Sequence, residues 1–177
     1  MKLIVAVDEK WGIGYENKLL AAIPADQRFF REQTTGNVII MGRKTLESFP
    51  GKKPLKNRTN IVITKQKDYQ VADATVVHSV EDALELVKEL PTDKVFVIGG
   101  ASIYEQMEPL CDTALVTKIQ YTYKADTFFP NLDEKPETKP WWRVFSLHHR
   151  RLRSCHRRSV PGRWGLPCRT YVWPVPH

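Results

Sequence analysis

Between Leu19 and Thr35 one carboxylate, Asp26, shares a helical stripe with Phe29, Phe30 and Gln33. Positions three, four and seven residues apart lie on one face of an α-helix, so the acid projects where the two rings project. A carboxylate sent toward an apolar surface loses hydration, and such a group persists where a ligand compensates it. Its two acceptor oxygens suit a heterocycle that offers an N–H and an amino group side by side. Pro24 fits the first helical position and puts Asp26 in the first turn, where the helix dipole also favours an acid that simply bends to solvent. Taken alone, the residue fits either reading.

The flanking stretches are the elements that must position it. An apolar run, Leu3 to Val7, ends at Asp8 and gives way to Trp11-Gly-Ile-Gly-Tyr-Glu-Asn-Lys-Leu19. This reads as a buried strand emptying into a glycine-punctuated loop that leads to the Asp26 helix. Further runs rich in Val and Ile lie at 38–41, 60–64, 75–77, 95–98 and 114–119. Lacking alternation, they read as strands covered on both faces, with helices between them making crossovers in a mainly parallel sheet. Ser79-Val-Glu-Asp82 reads as a capping box opening a helix with Ala83, Val87 and Leu90 inward, closed by Pro91. Two strand ends carry glycine: Gly42-Arg43-Lys44-Thr45 and Gly99-Gly100-Ala101-Ser102-Ile103-Tyr104. Bare backbone there can approach a pyrophosphate while amide groups point at it, although tight helix–sheet packing calls for the same glycines.

In this order and at these separations, together with Pro54-Leu-Lys-Asn-Arg58 and Asp126-Thr-Phe-Phe-Pro130, the set resembles the dihydrofolate reductase family over residues 1–146. The resemblance implies a single α/β domain: a twisted, mainly parallel eight-stranded sheet, helices on both faces and an antiparallel C-terminal strand. It implies NADPH-dependent reduction of dihydrofolate to tetrahydrofolate, a reaction of one-carbon metabolism, by hydride transfer to C6 and protonation at N5. Asp26 matches the acid that binds the pteridine, Thr117 the threonine that supports that acid, and Leu19 a third position grouped with them. Ala6, Phe30, Phe49, Leu55 and Arg58 match the substrate pocket, with Arg58 able to hold the α-carboxylate of a glutamate tail through two parallel hydrogen bonds. Ile13, Gly14, Asn17 and Leu19 fall in the loop over the nicotinamide, and Thr127, beside Asp126, in the loop that contacts it. Ala6, Ile98 and Tyr104 match the nicotinamide pocket. Gly42, Arg43, Lys44, Thr45, Thr64, Lys65 and Gly99 to Ile103 match the rest of the cofactor site, where Arg43, Lys44, Thr64 and Lys65 favour the 2′-phosphate of NADPH. Ala21 and Ala22 depart from the family, which often has a bulky aromatic and a polar residue there. Burial is expected to raise the pKa of Asp26 against a helix-dipole effect of about 0.3–1 kcal/mol.

A chain of 177 residues, 42% of them hydrophobic, suits one domain with a sizeable core. It has no membrane-length apolar run and no amino-terminal signal pattern, so the expected location is the cytoplasm and the expected form a monomer binding dihydrofolate and antifolate-type molecules. Cys111, Cys155 and Cys168 are odd in number and lack metal-type spacing, so neither a disulfide framework nor a metal site is expected. The net charge of +7 is unevenly spread: residues 1–140 carry 19 basic and 20 acidic side chains, whereas the last 37 carry eight Arg, no Lys and no acid. His148, His149, His156 and His177 lie in that last stretch. Trp142 to Ser146 still fits the family's penultimate strand, but residues 147–177 do not match, and form a separate Arg-rich tail. A replaced, frame-shifted ending is the leading reading of it. A nucleic-acid arm interleaving Arg with Trp164, Tyr171 and Trp173 is a second, and a divergent hairpin ending in a strand at Arg169 to Val172 a third. The functional alternatives are a related pteridine or pyrimidine reductase, and a basic nucleic-acid-binding protein acting through this tail. Nucleic acid and membrane are not the expected partners of the body.

Overall fold

The computed structural model describes residues 1–134 and the strand Trp142–Leu147. The apolar runs become strands: β1 (Lys2–Val7), β4 (Val38–Gly42), β5 (Thr59–Ile63), β6 (Thr75–Val77), β7 (Val95–Gly99) and β8 (Thr113–Ile119). With β10 (Trp142–Leu147) they form one sheet in the order β10-β8-β1-β7-β4-β5-β6, and each of its pairings is parallel. Four helices connect them: α1 (Pro24–Thr34), α2 (Arg43–Glu47), α3 (Val80–Val87) and α4 (Ala101–Met107).

Successive residues of a strand face opposite sides of the sheet, which divides the core in two. Leu3, Val5, Ile40, Ile61, Val95, Val97, Ala114 and Val116 meet α3 and α4 on one side. Ile4, Ile39, Met41, Val62, Phe96, Ile98 and Leu115 meet α1, α2 and the loops after them on the other. Because all seven strands run the same way, the carboxyl ends of β1, β4, β5 and β7 open onto one edge. The helix after β7 lies on the opposite face from those after its neighbours β1 and β4, so the chain diverges there and leaves a crevice, as open α/β sheets do at their ligand sites.

A second, antiparallel sheet was not anticipated. It consists of β2 (Gly12–Tyr15), β3 (Lys18–Leu19) and β9 (Thr127–Phe128), in the order β3-β2-β9. Glu16 and Asn17 join β2 to β3 with φ of 50° and 59°, the positive values that a two-residue hairpin turn takes. The loop read from the glycines is therefore a short hairpin pinned to the 126–128 segment.

The described part of the main sheet has seven strands, and β10 lies parallel beside β8 with Val144 opposite Val116. The eighth, antiparallel C-terminal strand that the resemblance implies, and the strand at Arg169 to Val172 of the divergent-hairpin reading, lie outside the described residues, as does the rest of the tail beyond Leu147. One further expectation needs correcting: Leu90 does not complete the inward stripe of α3. The helix ends at Val87, and Leu90 is 40% exposed while Ala83 and Val87 are buried. The helix start is as read: Ser79 Oγ accepts the Asp82 N–H at 3.0 Å, and the Asp82 carboxylate accepts the Ser79 N–H in return.

Candidate functional site

Pro24 opens α1, and the first turn carries Asp26. Asp26, Phe29, Phe30 and Gln33 lie on the helix face turned to the sheet, where Phe29 and Phe30 pack against its apolar cluster. Burial pushes the Asp26 carboxyl above the usual aspartate range, partly offset by a hydrogen bond from the Thr117 hydroxyl. Thr117 is buried on β8, where it pairs with Ala6 of β1. Tyr104, fully enclosed, donates its hydroxyl to the Ile4 carbonyl at 2.7 Å, and its own pKa is raised by burial and then by the nearby Asp26 charge. A single acid on the α1 side thus faces a wall built from β1 and β8.

Phe30, Phe49 and Leu55 pack against the same apolar cluster, around Ile4, Met41 and Phe96. Arg58 closes this end. Its Nε donates to Thr34 Oγ1 at 2.9 Å, one Nη to the Lys56 carbonyl at 3.0 Å and the other to Thr35 Oγ1 at 3.3 Å, with the guanidinium 5.9 Å from the Phe30 ring centroid. Among the described residues, three of its five N–H groups are thereby occupied. Burial and the neighbouring Arg31 both lower its pKa. The buried Asn60 fixes the loop that presents Leu55 and Arg58, accepting the Leu55 N–H at 3.0 Å and donating to the Leu55 and Arg58 carbonyls. Neither Arg31 nor Asn60 stood out in the sequence; a polar residue opening an otherwise apolar strand was the only available sign of Asn60.

Across the crevice the glycine turns after β4 and β7 lie against each other. A Cβ on Gly42 would stand 3.1 Å from Ile103 Cγ1, and one on Gly100 3.2 Å from Thr45 Oγ1. Gly99 has φ of +119° and would bring a Cβ within 3.1 Å of the Tyr104 ring. The Gly99–Gly100 peptide is cis. Bare main chain is therefore required at this junction, where α2 and α4 begin. Ala101 is half-buried, Ile98 and Ile103 are buried, and Ser102 is exposed.

The cations sit farther along the edge. Lys44 and Lys65 are exposed, and Thr64 is buried at the end of β5. Arg43 is already engaged: one Nη reaches both Glu47 oxygens at 2.8 and 2.7 Å, and the guanidinium lies 6.0 Å from the Tyr69 ring centroid. Its partner four residues on did not stand out in the sequence.

Over the crevice, Asp126 fastens the hairpin. Its Oδ2 accepts the Glu16 N–H at 2.8 Å, its Oδ1 accepts the Thr127 hydroxyl at 2.7 Å, and its own N–H donates to the Gly14 carbonyl at 3.1 Å. These bonds hold its carboxyl below the usual range. Ile13 packs against the core, whereas Asn17 and Leu19 point outward, Leu19 being 74% exposed. An aliphatic side chain such as that of Leu19 has no proton to give, so its grouping with Asp26 and Thr117 would rest on shape and not on proton transfer. Among the described residues no group of three or more His, Cys, Asp or Glu could hold a metal, and no helix is long and apolar enough to cross a membrane.

Comparison with known proteins agrees with this geometry. The dihydrofolate reductase family profile matches residues 1–151. The chain is 40% identical over 134 residues to a dihydrofolate reductase of Bacillus subtilis, covering 76% of this chain and 77% of that one. It is 36% identical over 176 residues to the bifunctional dihydrofolate reductase-thymidylate synthase of Daucus carota, covering 90% of this chain but spanning only 33% of that protein. The structure of Enterococcus faecalis dihydrofolate reductase complexed with NADP(H) and RAB-propyl matches with a TM-score of 0.69 at 41% identity, over 76% of this chain and 79% of that one. By fold, by site architecture and by these matches, the chain belongs to the dihydrofolate reductase family.

Proposed function

We infer that the chain reduces dihydrofolate to tetrahydrofolate with NADPH, and that residues 1–146 carry the site. The observation that supports this most strongly is the partly buried Asp26, backed by Thr117, facing a crevice whose other wall is bare glycine backbone. Asp26 accepts the adjacent N–H and amino groups of the pteridine, and its raised pKa keeps a proton available on the side of N5. Phe30, Phe49 and Leu55 enclose the ring and the benzoyl group and exclude water. Arg58 turns its two remaining N–H groups to the α-carboxylate of the glutamate tail.

The glycine junction suits NADPH, because the missing side chains let the turns after β4 and β7 pack closely through Ile103 and Thr45, and bare main-chain amides at such turns can face a pyrophosphate. When bound there, NADPH supplies the hydride. Ala6 and Ile98 offer an apolar floor to its nicotinamide, with Tyr104 beneath the same turn. Thr45, Ala101, Ser102 and Ile103 border the pyrophosphate. Lys44, Thr64 and Lys65 hold the 2′-phosphate, and Arg43 joins them to the extent that it leaves Glu47. The hairpin residues Ile13, Gly14, Asn17 and Leu19, fastened through Asp126 and Thr127, cover the nicotinamide and keep it dry. We place the enzyme in the cytoplasm as a monomer, with antifolate-type molecules as competitors for the Asp26 pocket.

The direct test follows NADPH oxidation on adding dihydrofolate to the full chain. Turnover that needs both reactants, and that is much weaker with NADH, supports the reading. Oxidation that is unaffected by omitting dihydrofolate would remove it.

A further inference from the structure

We propose that Asp8 is a positioning residue for hydride transfer: its buried carboxylate fixes the register between the hairpin and the 120–126 segment, and thereby the place of Ile13 over the nicotinamide. The proposal rests on the reading of the hairpin as the cover of that ring. Register needs such a device here. Two of the four residues of β2 are glycine, and its ladder with β9 is irregular: Gly12 pairs with Phe128 and Gly14 with Thr127, so β2 advances two residues where β9 advances one. Short glycine-rich strands specify their register weakly, and a slip of one residue turns every side chain to the opposite face. The extra residue at this bulge is Ile13, and bulges re-aim the side chain they carry.

Asp8 follows β1 directly and is 2% exposed. Its Oδ1 accepts the Lys10 and Gly12 N–H groups, both at 2.8 Å, and its Oδ2 accepts the Tyr123 N–H at 3.0 Å. One planar group thus joins the end of β1, the residue that opens β2 and the segment that leads to β9. Main-chain bonds frame the same junction: the Asp8 N–H donates to the Gly12 carbonyl at 3.0 Å and the Glu9 N–H to the Tyr121 carbonyl at 3.2 Å. The packing is close, since a Cβ on Gly12 would stand 2.8 Å from Ala125 Cβ and 3.1 Å from Asp8 Oδ1. Trp11, inside the turn, has φ of 62°, a value that a bulky residue holds only where its surroundings over-determine it. Its N–H donates to the Asp8 carbonyl at 3.1 Å, and its carbonyl accepts the Phe129 N–H at 2.8 Å. Asp126, three residues past Tyr123, ties the tip of the hairpin through Glu16. Asp8 therefore sets the base from which that tie can form, and acts on the reacting atoms only through Ile13 and its neighbours.

The test compares the full chain with Asp8→Asn and Gly12→Ala. Asparagine keeps the size of the side chain and one acceptor oxygen, which can serve Lys10 and Gly12 or Tyr123 but not both, while its NH2 faces the remaining donors. The link across the bulge is cut and the side-chain volume stays. Gly12→Ala presses the same two segments apart with Asp8 intact. Four quantities are measured: the NADPH dissociation rate, the single-turnover rate of NADPH oxidation by dihydrofolate per NADPH-binding site, KM for dihydrofolate, and the melting temperature. In both variants the single-turnover rate is expected to fall, and the NADPH dissociation rate to rise, by about threefold to tenfold, the equivalent of one hydrogen bond, with KM for dihydrofolate kept. A lowered melting temperature with normal rates per binding site would make Asp8 a purely structural group and overturn the proposal. An equal loss in KM for dihydrofolate would overturn it too, because the whole crevice would then have moved. Should Asp8→Asn not yield folded protein, Gly12→Ala decides by the same criteria. A wild type that does not oxidise NADPH with dihydrofolate sinks the reading of the site and the proposal with it, whereas an active wild type with unaffected variants sinks the proposal alone.

Discussion

The two walls of the crevice are built from different materials. The α1 wall is made of side chains: a carboxylate, aromatic rings and a guanidinium, each held by a neighbour such as Thr117, Thr34 or Asn60. The β4–β7 wall is made of main chain, where a side chain would collide with Ile103, Thr45 or Tyr104. On the first wall a substitution deletes a group and leaves the shape. On the second it adds atoms and destroys the shape. Damage to the first should therefore appear in chemistry or substrate affinity with the fold intact, and damage to the second in cofactor affinity and stability together.

The sharpest contrast comes from Asp26→Asn. The amide cannot supply or hold the proton, and the expected loss in turnover is about 10²–10³-fold. Stability should move the other way. Burial raises the folded-state pKa of Asp26, so the native protein favours the neutral acid, and stability declines as pH rises from the ordinary aspartate range through the raised value. The asparagine variant carries no such cost. Its melting temperature should exceed that of the wild type at pH 8, with the gap closing toward pH 4. The pH–rate profile of the wild type should show a limb above the usual aspartate range that is abolished in Asp26→Asn. A variant that was both active and less stable at pH 8 would break the view of this wall as chemistry placed at the expense of stability.

Gly99→Ala and Arg58→Lys set the walls against each other. At Gly99 a Cβ meets the Tyr104 ring at 3.1 Å on a backbone of φ +119°, which costs about 1–3 kcal/mol. NADPH affinity should fall by about tenfold or more and the melting temperature should drop, with dihydrofolate affinity kept. Arg58→Lys replaces a fork with a point charge. KM for dihydrofolate should rise by about tenfold at nearly constant kcat, while a pteridine substrate lacking the glutamate tail is unaffected. Equal losses on tailed and tailless substrates would show that Arg58 serves the loop rather than the ligand.

The same contrast explains what could be read in advance. Val and Ile runs without alternation gave strands within a residue or so of their observed bounds, because burial on both faces leaves a compositional mark. Asp26 was legible for a similar reason: a charge on an aromatic helical stripe is locally inconsistent. The glycines after β4 and β7 were visible, but their mutual contact is not, since it joins positions about 58 residues apart whose proximity exists only once β4 and β7 pair. The tie of Arg43 to Glu47 went unread because it depends on side-chain rotamers. The antiparallel sheet was missed because β3 and β9 have two residues each and carry no periodicity.

The hairpin over the crevice gives the smallest predicted effect and the most specific one. Besides the pairing of β2 with β9, Asp126 fastens it; this residue is exposed, and its carboxylate accepts the Glu16 N–H and the Thr127 hydroxyl. Exposed bonds of this kind add little to global stability, so Asp126→Ala should leave the melting temperature essentially unchanged. If the hairpin covers the cofactor as proposed, its loosening should raise the NADPH dissociation rate by a few-fold and lower turnover by a similar factor. The folded-state pKa of Asp126 is depressed, so the fastening persists above the ordinary aspartate range and is lost only as pH falls through the lower, folded-state value. The wild-type dissociation rate should then be flat from pH 8 to 5, with Asp126→Ala faster by a constant factor throughout. A large drop in melting temperature would instead make this residue part of the framework, and the hairpin would no longer be a separable third element resting on two walls.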